Sequence, residues 1–582
     1  MDSSQPKLIT YIQPYLGMMI NGLFLATCQS AMNLCLPFCI RFAVDDLNAG
    51  NLDAFKLFEY TGLFLVGTLC GACLSLWMRR LPIYAAHQIE HDIRSDLFTR
   101  LTLLDPAFFK REQTGDMMTR MSSDLTIVRE FIGQGVFQIC RTVIVFAIAF
   151  PIMFAISREL ASTLAILLPL ISMVMFVLLR AIRPRYEARQ ELLSNLSNFT
   201  QENFAGIQTI KGYAIEDRQT EAFHRLNREF VQSNMRLNVI ERPIWPLMMF
   251  LFSLGTVSIL VVGGQLVIEE RISLGELVQF NQYMFYMVWP IVALGWAGNL
   301  CIRGLSSWRR IQAIIETKSK IGDGSWTNRQ LVNLSGDIEL RHVGLIRDDQ
   351  QILDDINLKI PEGATVGITG PTGSGKTMLV SMIPRLVEPS SGQILIGEND
   401  VREYSLRLLR GGIGIAQQEP FLFSDTLSSN ISFGLLEPDE RTTHWAADVA
   451  QLTSDIELFP DGFNTMLGER GITLSGGQRQ RTAISRAIAR SPEILILDDV
   501  LSAVDTQTEA QILLRLRSVV EGRTSIIVSH RISAIRAANF IVVLEGGRIT
   551  QLGNHDQLAN QPGYYRNLVE KQRLEAELEA TK

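Results

Sequence analysis

Ala364-Thr365-Val366-Gly367-Ile368-Thr369-Gly370-Pro371-Thr372-Gly373-Ser374-Gly375-Lys376-Thr377 is a short apolar strand pattern running into G-x-x-x-x-G-K-[ST], and a helical pattern opens at about Thr377. Glycines let backbone N–H groups come close to phosphate oxygens, and a helix N-terminus adds positive potential. In such a loop Lys376 reaches the β- and γ-phosphates and the Thr377 hydroxyl ligates Mg2+. Strand, loop and helix agree, so the segment reads as a phosphate cradle. Downstream, Ile494-Leu495-Ile496-Leu497-Asp498 is a buried-strand pattern ending on a carboxylate. An unpaired buried charge is costly, and holding the Mg2+ of a bound nucleotide supplies the reason for it. The adjacent Asp499 is placed to polarise an attacking water.

Around these two motifs, short β-branched runs alternate with helical patterns: Ala364–Thr369, Gly412–Ala416, Ile494–Leu497, Ser525–Ser529 and Phe540–Leu544. That alternation predicts an α/β domain with a largely parallel sheet. Gly322-Asp323-Gly324-Ser325 reads as a linker before it. The predicted boundaries are 1–318 for a first domain, 319–335 for the linker and 336–582 for the phosphate-binding domain.

The first domain is of another kind. Tyr15–Ile40, Tyr60–Met78, Leu160–Leu179, Ile244–Ile268 and Leu277–Ile302 carry no charge, and Phe131–Ile156 is interrupted only by Arg141. Each is near or above the ~20 residues that a helix needs to cross a bilayer, which predicts six transmembrane helices. The first run is too long for a cleavable signal peptide, contains Pro37, and has no small-residue cleavage site after it. Short links fall near Asp45–Lys56, Ser157–Glu159 and Glu269–Ser273. The two long links begin with Arg79-Arg80 and with Arg180, Arg183 and Arg185. The positive-inside bias therefore puts the long links, the N-terminus and the C-terminal half in the cytoplasm of a cell whose plasma (inner) membrane holds the chain. Within the long links, Asp105-Pro106-Ala107-Phe108-Phe109 and Asn203-Phe204-Ala205-Gly206 combine aromatic residues with a turn signal, as suits a short docking element.

Composition closes off other classes. The 582 residues are 47% hydrophobic, with 54 basic against 60 acidic residues and a net charge of −6. That excludes disorder and gives no basic signature of a nucleic-acid binder. All seven cysteines lie before residue 302, mostly in apolar runs, which argues against a disulfide framework or a zinc site.

Further motifs carry a family resemblance. Leu474-Ser475-Gly476-Gly477-Gln478 resembles the signature of ATP-binding-cassette (ABC) transporters. Gln418 is similar to their Q-loop glutamine, Ser502-Ala503-Val504-Asp505 to their D-loop, and His530 to their switch histidine. Thr465–Gly471 is similar to the segment that exporter cassettes set against the membrane domain. The resemblance covers essentially the whole chain. It implies a six-helix transmembrane domain of the exporter type followed by an α/β P-loop nucleotide-binding domain, using ATP and Mg2+. In this family the signature faces another chain's Walker motifs, so the resemblance implies a second half-transporter as partner. Ser475, Gly476, Gly477 and Gln478 would then complete that chain's site, with Asp505 linking the two sites, Gln418 in the Mg2+ shell and His530 on the γ-phosphate.

Two positions depart from the family pattern. The residue after the Walker aspartate is usually Glu and here is Asp499, and the adenine-stacking aromatic is replaced by Arg347, whose guanidinium can also stack. Asp is shorter by one methylene, and a displacement of about 1 Å costs on the order of 10²-fold in rate. With the signature intact, the expectation is the degenerate-site subunit of a heterodimer, favoured over a homodimer with two slow sites. An ATP-gated channel or regulatory subunit is the rival from another class.

The last membrane run carries Gln279, Asn281, Gln282, Tyr283, Tyr286, Trp289, Trp296 and Asn299. Such groups at bilayer depth either pack between helices or line a route for lipophilic or amphipathic cargo. Arg141 either pairs with a carboxylate or snorkels to an interface.

Overall fold

The computed structural model describes residues 7–580, and the side chains of Arg183, Arg470 and several residues of the Leu160–Leu179 run lie outside that description. The chain divides into two compact units: residues 1–102 with 114–317, and residues 103–113 with 318–582.

The first unit is helical. Among the described residues five helical segments are long and apolar enough to cross a bilayer: Leu8–Asn48, Ala54–Leu103, Thr114–Ile156, Glu216–Ile268 and Leu274–Glu316. The expected count of six is therefore met for five. The remaining run, Leu160–Leu179, lies inside one continuous helix, Arg158–Ala205. Large apolar side chains point outward here as they would not in water: Phe58 is 78% exposed and Leu76 72%. Hydrocarbon accepts such a surface at no cost, and a helix pairs most of its backbone polar groups within itself. Two π-helical turns, Arg120–Asp124 and Phe131–Val136, interrupt the third segment. Beside the first, buried Asp124 accepts hydrogen bonds from Ser307 Oγ at 2.9 Å and Arg310 Nε at 2.9 Å, which ties that segment to Leu274–Glu316.

Not every polar group of the last helix lines a route. Gln279 and Tyr283 are fully buried, Gln279 Nε2 donating to the Tyr283 hydroxyl at 2.9 Å and that hydroxyl to the Leu34 carbonyl at 2.8 Å. They pack between helices. Tyr286 and Trp289 instead border a cavity.

Among its described residues the second unit contains ten strands: β1 Ile338–Arg347, β2 Gln350–Ile360, β3 Thr365–Thr369, β4 Ser391–Ile396, β5 Asn399–Asp400, β6 Ile413–Ala416, β7 Ile494–Asp498, β8 Thr524–Val528, β9 Phe540–Glu545 and β10 Arg548–Gly553. An antiparallel sheet has the order β2-β1-β4-β5, and a larger sheet the order β10-β9-β3-β8-β7-β6. In the larger sheet β6, β7, β8, β3 and β9 run parallel and β10 is antiparallel, matching the expected sheet type. Both faces of β7 are covered: Ile494 and Ile496 join one core cluster, Leu495 and Leu497 the other. That is why its sequence is an unbroken apolar run rather than an alternating one.

The docking element Pro106–Arg111 belongs to this unit. Asp105 caps it, accepting from Phe108 N at 3.0 Å, while its other carboxylate oxygen accepts from Lys320 N at 3.1 Å. The stretch after Ser319 is pinned to the cassette too, Leu406 N donating to Asp323 at 2.8 Å. By contrast, Phe204 at the end of Arg158–Ala205 is 72% exposed.

Candidate functional site

The cradle follows β3 and ends in the helix Lys376–Met382. Gly375 sits at φ +96°, where a Cβ would lie 2.7 Å from the Leu353 side chain, so the loop tolerates no larger residue there. Lys376 is buried and its Nζ donates to the carbonyls of Gly370 at 2.9 Å and Pro371 at 2.8 Å. Burial pulls its pKa down, against the opposing pull of Asp499 and Asp498. Ser374 is buried as well, and its hydroxyl has no hydrogen-bond partner among the described residues. An orphaned donor in a loop of backbone N–H groups is a site built for an acceptor oxygen. Thr372 and Gly373 are exposed at the tip.

β7 delivers Asp498 beside this loop. Burial raises its pKa, a hydrogen bond with Thr377 and the charges of Lys376 and His530 lower it, and Asp499 adds to the rise. Burial also raises Asp499, while His530 opposes through its charge and a backbone hydrogen bond. Asp499 has a left-handed backbone, φ +50°, and its N–H donates to the Val528 carbonyl at 2.8 Å. Lys376, Thr377, Asp498, Asp499 and His530 are thus one electrostatic cluster at the ends of three neighbouring parallel strands, the usual place for ligands in such sheets. Thr377 and Asp498 offer hard oxygen donors of the kind Mg2+ takes alongside phosphates, where the ion neutralises phosphate charge.

The remaining expected residues fall elsewhere. Arg347 ends β1 in a tight hairpin, its Nε 3.8 Å from Asp348, and Gln418 lies exposed after β6. Ser475 caps the helix Gly476–Ala489 in a reciprocal capping box, the Ser475 N–H donating in turn to Gln478 Oε1 at 2.9 Å. The Gln478 amide also donates to Asp455 at 2.8 Å. Among the described residues no hydrogen bond or ion pair joins this signature to Gly370–Thr377. Asp505 caps the helix Thr506–Val520, accepting from Thr508 N at 2.9 Å, and that backbone bond lowers its pKa.

Three residues that sequence reasoning passed over organise the site. Gln480 donates to Ser502 Oγ at 3.1 Å and accepts from Ala503 N at 2.9 Å. Arg531 donates to the carbonyls of Ser502 and Val504, each at 3.0 Å, and pairs with buried Glu509. Segment 502–505 is therefore gripped from both the signature helix and the switch segment. Gln572, on the C-terminal helix Tyr564–Ala580, donates to the His530 carbonyl at 2.6 Å and accepts from Ile532 N at 2.9 Å. Adjacency to His530 was the available signal for Arg531, and position two beyond the signature for Gln480. Gln572 had none.

Family models place these features. One described as "ABC transporter transmembrane region" matches residues 19–291, and one described as "ABC transporter" matches residues 353–502. The chain is 34% identical over 571 residues to the multidrug resistance-like ATP-binding protein MdlA of Escherichia coli (strain K12), covering 97% of this chain and 95% of that one. The chain belongs to the ABC transporter family. A second relative of this ABC exporter, the ABC transporter ATP-binding protein YknU of Bacillus subtilis (strain 168), is 33% identical over 97% of both chains. In fold the exporter is similar to a bacterial Atm1-family ABC exporter solved with ATP bound: TM-score 0.78, 24% identity, covering 95% of this chain and 98% of that one. The second unit is accordingly the ATP-hydrolysing domain of a membrane transporter.

Proposed function

We propose that this exporter moves a lipophilic or amphipathic compound out of the cytoplasm by alternating access, with six membrane helices per chain and both the N-terminus and the cassette cytoplasmic. Two chains act together, and the partner is a different half-transporter. In this reading Gly370–Thr377 binds the ATP phosphates, Thr377, Asp498 and the Gln418 region hold Mg2+, Arg347 meets the adenine, and His530 faces the γ-phosphate. Ser475–Gln478 completes the partner's site and Asp505 connects the two. Closure of the cassettes reaches the membrane helices through Pro106–Phe109, which follows the helix Ala54–Leu103 in the chain after Leu104-Asp105 and packs within the cassette unit.

The observation that carries the asymmetric reading is Asp499. Its carboxylate is one methylene shorter than the family's Glu and already engages the backbone of His530, so it reaches an attacking water poorly. Hydrolysis then falls mainly to the site built on the partner's Walker motifs. The chain purified alone is expected to hydrolyse ATP slowly, Asp499→Asn to change that rate little, and Asp499→Glu to raise it by about 10-fold or more. A fast rate for the chain alone, or no gain from Asp499→Glu, would overturn the slow-site reading. Copurification from the native membrane tests the heterodimer directly.

A further inference from the structure

Arg141 is the one charge inside the six long apolar runs. It sits ten residues from the nearer end of its run, about 15 Å along the helix at 1.5 Å per residue, deeper than the helix-end positions from which Arg side chains snorkel. Neither of the two ordinary fates of such a charge is realised. Among the described residues no carboxylate pairs with it, and its only hydrogen bond is a long one, Nη2 to Gln29 Oε1 at 3.4 Å.

Beside it lies a cavity of about 220 Å³ between the helices Leu16–Asn48, Phe137–Ile156 and Leu274–Glu316. Two hydroxyls line it that are themselves hidden: Ser30 is 4% exposed and Thr142 2%. Helical Ser and Thr ordinarily satisfy themselves on the carbonyl four residues back, as Thr27 does on Leu23 at 2.9 Å and Thr68 on Phe64 at 2.8 Å. The hydroxyls of Ser30 and Thr142 make no hydrogen bond among the described residues. A buried polar atom without a partner costs about 1–3 kcal/mol, and Arg141, Ser30 and Thr142, each with spare donor capacity, all belong to the lining of one cavity. Tyr286 and Trp289 supply aromatic lining, and Trp289 is 61% exposed.

We infer that this cavity binds the anionic head of an amphipathic cargo, a carboxylate on an apolar or aromatic body, with Arg141 neutralising the charge and Ser30 and Thr142 donating to its oxygens. The volume supports a head-group subsite: it is below the roughly 300–1,000 Å³ of whole drug-sized sites, so the body must lie outside, along Trp289. A cation is excluded by Arg141, and a neutral apolar tail would leave the charge and both hydroxyls unpaired. The inference rests on the export reading only in naming the ligand a cargo.

The test is equilibrium binding of laurate to the full chain in phosphatidylcholine nanodiscs without ATP, read by tryptophan fluorescence, so a failure of the transport or heterodimer reading leaves it untouched. Laurate is expected to bind at least about 10-fold more tightly than methyl laurate or dodecyltrimethylammonium. Arg141→Gln is expected to remove that preference, Arg141→Lys to keep part of it, and the volume-conserving Thr142→Val to weaken laurate several-fold. Unchanged ATP binding shows that the cassette is folded, and an unchanged far-ultraviolet circular dichroism melt of the full chain shows that the membrane helices are. Phosphatidylglycerol nanodiscs separate the sources of the anion: weaker laurate binding there, absent in Arg141→Gln, makes a lipid head a competitor for the same site. Equal affinity for laurate and its methyl ester, or full laurate preference in Arg141→Gln with intact ATP binding, would overturn the proposal.

Discussion

Replacing Arg531 by Met should cost far more than neutralising the carboxylate it pairs with, and the asymmetry follows from burial. Glu509 is 1% exposed in its side chain whereas Arg531 is 34% exposed. Without Arg531, Glu509 keeps Ser533 Oγ as a donor but becomes an uncompensated buried charge, which typically costs 3–5 kcal/mol. The carbonyls of Ser502 and Val504 lose a donor at the same time. Glu509→Gln leaves a cation that water can reach, still bonded to those two carbonyls, so its cost should stay near 1 kcal/mol. The double variant removes both charges and should be more stable than Arg531→Met alone. Calorimetry of the purified full chain, following the cassette transition, reads the difference. At roughly 2–4 °C per kcal/mol for a unit of this size, Arg531→Met should fall by about 6–20 °C and Glu509→Gln by only a few degrees. Equal losses for the two single variants, or a double variant less stable than Arg531→Met, would refute the argument that burial sets the balance.

Gln572→Leu removes both hydrogen bonds that flank Arg531 in the switch segment, each worth about 0.5–1.5 kcal/mol net. It should lower the ATPase rate of the assembled transporter by roughly 5- to 100-fold at nearly unchanged KM for ATP, because the phosphate loop is untouched; a rise in KM alone would contradict this. Asp498→Asn should stabilise the nucleotide-free cassette at neutral pH while lowering Mg2+-dependent ATP binding. Burial holds the folded pKa of Asp498 above its ordinary 3.8, so the ionised carboxylate destabilises above the folded pKa, and the penalty fades as pH falls through the folded pKa and is gone below 3.8, where both states are protonated. Denaturation midpoints of variant and parent should therefore converge in acid; a gap that widens there would show the opposite sign.

What could be read without a structure was whatever is local in the chain. The phosphate loop, the strand ending at Asp498 and the signature helix each need only a few consecutive residues of fixed type, because backbone N–H groups, a helix terminus and a strand end do the work. The membrane runs are likewise local, since about 20 uncharged residues meet the bilayer requirement whatever their neighbours. Gln572 was not legible, and only adjacency to a motif marked Arg531 and Gln480, because each acts on backbone groups more than 20 positions away, and no spacing rule relates them. The same holds for the polar residues of the last helix. Composition could not divide Gln279 and Tyr283, which seal a helix contact at Leu34, from Tyr286 and Trp289, which border the cavity at Arg141. Helix packing made that division, because only the rotation of one helix against two others decides which side chains meet a carbonyl and which meet open space. The sequence by itself determined a membrane transporter driven by ATP; the tertiary structure decided where its charge, its unpaired hydroxyls and its aromatic wall come together.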